Sequence, residues 1–149
     1  MTDLVLAIAH HLLVFGLAAL LAAEAALLRP GLSLQQLRLL GTLDSAYGAC
    51  AVLILVVGFC RVFFGLRGPE FFLDNPWFWA KLAAFALVGI LSAPPTIRFI
   101  VWRRRAKQDG AFTITESEVR SIRRFLVAEI VAFAFIPALA AAMIRVPSL

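Results

Sequence analysis

Four long apolar segments divide the chain and predict four transmembrane helices. They run over residues 4–28, 46–66, 76–102 and 119–144, with short polar stretches between them. Each is about as long as the roughly 20 residues that an α-helix needs to cross the hydrocarbon core of a bilayer, or longer. We therefore expect an all-α, integral membrane four-helix bundle that forms a single transmembrane domain over residues 1–149.

The residues at the breaks predict local features of this bundle. Ser33 to Leu43 mixes polar and apolar residues and suggests a short interfacial turn of helix, with Asp44 or Ser45 as the N-cap of the second span. Pro94-Pro95 removes two backbone donors inside the third span and predicts a kink there. Thr115 to Glu118 has the spacing of a capping box at the start of the fourth helix.

Composition strengthens the membrane assignment and excludes a sizeable soluble domain. Hydrophobic residues make up 62% of the chain and charged residues only 15%, whereas soluble domains carry roughly 25% charged residues. The net charge of +5 lies beside the apolar spans. There it indicates membrane topology rather than nucleic-acid binding, and the expected environment is a lipid bilayer.

The basic residues are concentrated in two of the three connections and predict the orientation. The opposite connection contains one arginine, Arg67, together with Glu70 and Asp74. Because basic connections stay in the cytoplasm, we expect both termini to face outward, toward the periplasm of a bacterial inner membrane. The basic connections contain Arg29, Arg38, Arg103, Arg104, Arg105, Lys107, Arg120, Arg123 and Arg124.

Polar residues inside the spans fall at two depths when the helix directions alternate. At about 100° per residue, His10 and Glu24 share one stripe of the first span, whereas His11 points about 100° away. If the polar stripes all face the interior, two layers result. The terminus-side layer, in the outer half, contains His10, Arg61, Lys81 and Met143. The loop-side layer lies in the inner half, next to the two basic connections. It contains Glu24, Tyr47, Ser92 and Glu129, with Asp44 and Arg98 nearby.

The residue types of the terminus-side layer suit a haem b site. An imidazole such as His10 ligates haem iron, and a thioether such as Met143 completes an axial pair. Arg61 and Lys81 are suited to binding the two propionates through charge-assisted hydrogen bonds. A transition-metal ion alone fits less well, because two cations would repel it.

Ordinary structural roles stay open for the same residues. His10 also suits a membrane interface, Arg61 and Lys81 can extend to the headgroups, and Met143 can be a packing residue. Glu24 and Glu129 either hydrogen-bond across the bundle as neutral acids or handle protons, since ionisable groups inside a membrane usually mark a function or a paired partner.

Two short motifs carry a resemblance to known membrane proteins. Ala9-His10-His11-Leu12-Leu13 opens the first span and Phe78-Trp79-Ala80-Lys81-Leu82-Ala83 opens the third. With them the chain resembles an uncharacterised bacterial family of predicted membrane proteins, close to the HemJ-type protoporphyrinogen oxidase and CopD-like group. The resemblance implies haem b, oxidation of protoporphyrinogen IX, a haem histidine at His10 (or His11) and a functional lysine at Lys81. The chain lacks further histidines of HemJ-type helices.

Three functions follow as hypotheses. The first is a haem b membrane protein that transfers electrons or oxidises a hydrophobic substrate, with Lys81, Glu24 and Glu129 as its catalytic residues. The second is a non-enzymatic small subunit or assembly factor of a larger membrane complex, or a homodimer, because alanines of the first span permit close helix packing. The third is a transporter or channel, which four spans would allow only in an oligomer.

Overall fold

The computed structural model describes residues 1–145, which form four long α-helices and one short helix. All four long helices have the length and hydropathy to cross a membrane. The predicted all-α four-helix architecture is therefore confirmed. In chain order the helices are α1 Thr2–Leu27, α2 Leu34–Phe64, α3 Gly68–Leu73, α4 Pro76–Gln108 and α5 Glu116–Arg145.

Helix α2 begins twelve residues before the predicted second span, because a capping box precedes it. The Ser33 hydroxyl accepts a hydrogen bond from the Gln36 amide at 3.3 Å, and the Ser33 amide donates to the Gln36 side chain at 3.0 Å. The added turns bury Leu37 and Leu40 in the core. The expectation of an N-cap at Asp44 or Ser45 is therefore wrong, since the cap is Ser33.

Helix α4 begins at the predicted start of the third span, and α5 begins with the predicted capping box. Asn75 accepts a hydrogen bond from the Trp77 amide at 3.0 Å. The Thr115 amide donates to a Glu118 carboxylate oxygen at 3.1 Å, and the Glu118 amide donates to the Thr115 hydroxyl at 3.4 Å, which confirms the capping box. Helix α4 stays helical through Pro94-Pro95 to Gln108, and the kink expected there stays a prediction.

The long helices pack as two hairpins, α1 with α2 and α4 with α5. The hairpins meet mainly through α2 and α4, and only to a small extent through α1 and α5. On the loop side, Arg123 of α5 donates a hydrogen bond to the Leu28 carbonyl oxygen at 2.7 Å. The main core lies in this loop-side half and includes the fully buried Leu17, Leu40, Phe99, Trp102 and Leu126.

The terminus-side half has a smaller core and a wider interior. Its buried cluster consists of Val62, Phe78 and Met143, and Phe72 and Trp77 pack against it. Helix α3 connects α2 to α4 at this end. Large apolar side chains point outward along every long helix, as in Phe15 at 71% and Ile90 at 69% exposure. Such a surface is suited to lipid.

Candidate functional site

Two polar sites occupy the interior, one in each half of the bundle. The terminus-side site is a cavity of about 640 Å³ that all five helices line. His10 reaches it from α1, Arg61 from α2, Lys81 from α4 and Met143 from α5. The structure thus brings all four predicted residues of the terminus-side layer to one cavity.

His10 is the better placed of the two histidines for binding a ligand. Its Nδ1 atom is buried and has no hydrogen-bond partner. The ring lies against Gly58 of α2, where an added Cβ would stand 3.5 Å from His10 Cε1. His11 is exposed, and its Nδ1 atom lies 2.6 Å from the Ala7 carbonyl oxygen of its own helix. Both rings line the cavity, but only His10 has an unsatisfied buried nitrogen.

The cavity has a positive wall, because three cations line it: Arg61, Arg67 and Lys81. The Arg61 Nε atom is buried without a hydrogen-bond partner, and Lys81 Nζ lies 5.4 Å from the centroid of the Phe78 ring. The acidic residue of the lining is Asp3, whose carboxylate accepts a long hydrogen bond of 3.4 Å from the Leu66 amide. A cation with a buried donor that lacks a partner favours an anionic ligand.

Met143 lies at the end of α5 and is fixed by a residue that the sequence analysis did not assign to the site. Asn75 is 5% exposed, and its side-chain amide donates a 3.1 Å hydrogen bond to the Met143 carbonyl oxygen. The same side chain caps α4. The Asn-Pro pair at a helix start was a visible signal for the cap, but the contact with α5 depends on tertiary packing.

The rest of the cavity wall is mainly aromatic and aliphatic, and part of it faces outward. Phe15 of α1 and Ile144 of α5 both line the cavity, yet their side chains are 71% and 59% exposed. The cavity is therefore open to the outer surface of the bundle near α1 and α5, which contact each other only to a small extent. The aromatic lining comprises Phe15, Phe59, Phe71, Phe72, Phe78, Phe85 and Phe133.

The loop-side site is a cluster of buried acids. Glu24 of α1 and Glu129 of α5 are only 2% and 1% exposed. One carboxyl oxygen of each is buried without a hydrogen-bond partner, and so is the hydroxyl oxygen of Tyr47. The Tyr47 hydroxyl faces Glu129, and the charged neighbours of Glu24 are Asp44 and Glu129. The predicted proximity of these residues is thus present.

A second cavity of about 370 Å³ lies beside this cluster, between α2 and α4. Tyr47, Asp44 and Ser92 line it, and Arg103 lies at its loop-side end. The Thr96 hydroxyl donates a 2.6 Å hydrogen bond to an Asp44 carboxylate oxygen. Arg98, which the sequence placed near this layer, is exposed and lines neither cavity.

The two sites are separate, which divides the predicted set of catalytic residues. His10 and Glu24 lie fourteen residues apart on α1, or about 21 Å along a helix. Lys81 belongs to the terminus-side cavity, whereas Glu24 and Glu129 belong to the loop-side cluster. The three residues do not line one cavity, and their catalytic roles stay predictions.

A site for a metal ion bound by protein ligands alone finds no support within residues 1–145. No group of three or more histidine, cysteine, aspartate or glutamate side chains is arranged there to hold a metal ion.

Comparison with known proteins identifies the family. A family model described as "Predicted membrane protein (DUF2214)" matches residues 2–146. The chain belongs to DUF2214. The expectation of an uncharacterised membrane protein family is confirmed, and the finer resemblance to the HemJ-type and CopD-like group stays a prediction. No curated protein and no solved structure gave a significant match.

Proposed function

We propose that this membrane protein binds haem b in the terminus-side cavity and has a redox role there. One observation carries the proposal: His10, Arg61, Lys81 and Met143 reach the same cavity from four different helices. The volume of about 640 Å³ lies within the range of roughly 300–1,000 Å³ that is typical of ligand and cofactor pockets.

The residues present fit the chemistry of haem. His10 would ligate the iron, because its ring lines the cavity and no hydrogen bond fixes its buried Nδ1 atom. Arg61 and Lys81 would bind the propionates, which would satisfy the unpaired Arg61 Nε atom. Met143, on the wall of the same cavity, would supply a thioether sulfur as a further ligand. The aromatic lining would exclude water from the macrocycle.

The opening near α1 and α5 suggests the class of substrate. Phe15 and Ile144 are exposed at this opening, where the surface is apolar and suited to lipid. A hydrophobic reductant such as a porphyrinogen would reach the cavity from the bilayer. Bound haem would supply one-electron redox chemistry. Lys81 would then orient an anionic substituent of the substrate, or hold a propionate.

The positive connections give the proposed setting. Arg103, Arg104 and Arg105 end α4 on the loop side, opposite both termini. The protein would lie in a bacterial inner membrane with its termini and the haem cavity toward the periplasm.

An absorption spectrum of the detergent-purified protein tests the proposal directly. Protein from haem-supplied cells should show a Soret band, with shifts between the oxidised and the reduced form. His10→Ala should lose the band, whereas the matched variant His11→Ala should keep it, because the His11 ring is held by its own helix. A colourless wild-type protein that also fails to bind added hemin would overturn the proposal.

A further inference from the structure

The loop-side half contains a second site, which the proposed haem chemistry does not use. Glu24 comes from one hairpin and Glu129 from the other, and both lie in the loop-side half, where the main core is. Both carboxyls are almost completely buried, and each has an oxygen without a hydrogen-bond partner. A purely structural acid pair would satisfy its oxygens, because a buried polar atom without a partner destabilises the fold.

The charged surroundings favour a proton as the ligand of this pair. The groups that face the two carboxyls are Asp44 and Tyr47 from α2, and the cation that lines the neighbouring cavity is Arg103 from α4. The immediate neighbours of the carboxyls are thus acidic or neutral. A buried carboxylate without a paired cation is strongly disfavoured. At least one of the two acids is therefore expected to hold a proton.

Tyr47 belongs both to the acid cluster and to the wall of the neighbouring cavity. Its side chain is 5% exposed, and its hydroxyl faces the Glu129 carboxyl. The same residue lines the cavity of about 370 Å³ between α2 and α4. That cavity is large enough for several water molecules, and its wall offers them the polar groups of Asp44, Ser92 and Thr96.

We propose that Glu24 and Glu129 form an exchangeable proton-binding site, and that Tyr47 connects it to the loop-side surface through this cavity. In the uptake step, a hydronium ion in the cavity gives a proton to the Tyr47 oxygen as the proton of Tyr47 moves to the Glu129 carboxylate. The O–H bond of Tyr47 is renewed, a water molecule remains, and one proton has moved from solvent to the acid pair. Release is the reverse.

Infrared spectroscopy of the full-length protein in lipid tests this site without reference to haem. A carbonyl-stretch band of protonated carboxyl should appear and should shift when H₂O is replaced by D₂O. Glu129→Gln should remove or displace the band. Glu116→Gln, at the exposed start of the same helix, is the matched control and should leave the band unchanged.

The rate of the deuterium shift tests the route. Tyr47→Phe keeps both carboxyls and the ring but lacks the hydroxyl, and it should slow the shift severalfold. A band that never shifts in D₂O, or that shifts at the same rate in Tyr47→Phe, would overturn the proposal as stated. Since neither readout requires a bound cofactor, failure here and failure of the haem proposal are distinguishable.

Discussion

The two halves of the bundle treat their buried polar residues differently. In the terminus-side half, His10, Arg61 and Lys81 surround an open cavity with aromatic walls. In the loop-side half, Glu24 and Glu129 are enclosed by packed helices, and their nearest cavity lies beyond Tyr47. The first half offers room and positive charge to a large anionic ligand. The second offers acid groups to a ligand no larger than a proton.

The packing accounts for this difference. Fully buried large side chains such as Phe99 and Trp102 fill the loop-side half, where the Arg123 bond to Leu28 also joins the hairpins. The contact between α1 and α5 is small over their whole length, and the buried cluster of the terminus-side half consists of only three residues. We infer that the loop-side half holds the bundle together, which leaves the other half free to form a cavity.

The largest expected effect tests whether stability resides in the loop-side half. Trp102→Ala should lower the free energy of unfolding by about 3 kcal/mol. We expect this low end of the range for Trp→Ala changes in soluble cores, because lipid solvates the indole that unfolding exposes. Trp79→Ala is the control, because Trp79 is 53% exposed at the terminus-side end. Denaturant titration in mixed micelles measures both. Equal losses would contradict the proposed division of stability.

The next effect concerns the space that Gly58 leaves for His10. A leucine at position 58 would extend beyond a Cβ that already lies 3.5 Å from the imidazole, and overpacking of this kind costs about 1–3 kcal/mol. Gly58→Leu should therefore weaken hemin binding by up to roughly a hundredfold. Gly48→Leu, whose Cβ meets no atom within 4 Å, should bind hemin as the wild type does. Hemin titration followed by absorbance gives both affinities, and similar values would remove His10 from the site.

A smaller effect tests the positive wall. Lys81→Met keeps the length and apolar stem of the side chain but removes its charge. If Lys81 binds a propionate, the affinity for hemin should fall by about tenfold, or about 1.4 kcal/mol. Lys107→Met, at the loop-side end of α4, supplies the control. A hemin analogue with esterified propionates should bind wild type and Lys81→Met equally, and a persistent difference would argue against a propionate contact.

Much of this arrangement could be predicted because a membrane helix restricts its side chains to few positions. The fixed rotation and rise per residue of a helix placed His10 and Glu24 on one stripe of α1. Alternating helix directions then placed His10 at the same depth as Arg61 and Lys81. The start of α2 was predicted wrongly because Ser33 was not recognised as its cap. The contact of Asn75 with Met143 and the exposure of Arg98 depend on how the hairpins dock, which periodicity within one helix does not encode.

The smallest expected effect decides between the two roles considered for the buried acids. If Glu129 is held for proton exchange, its unsatisfied oxygen destabilises the fold, and Glu129→Leu should raise the free energy of unfolding by about 1 kcal/mol. If Glu129 instead hydrogen-bonds across the bundle as a neutral structural acid, the same change should lower it. Glu116→Leu, at an exposed position of α5, measures the effect of the substitution alone. Glu129 and Leu126 share the loop-side interior. A loss of stability in Glu129→Leu, with none in Glu116→Leu, would therefore assign Glu129 to the packing of that half. The terminus-side cavity would then be the one functional site of the two.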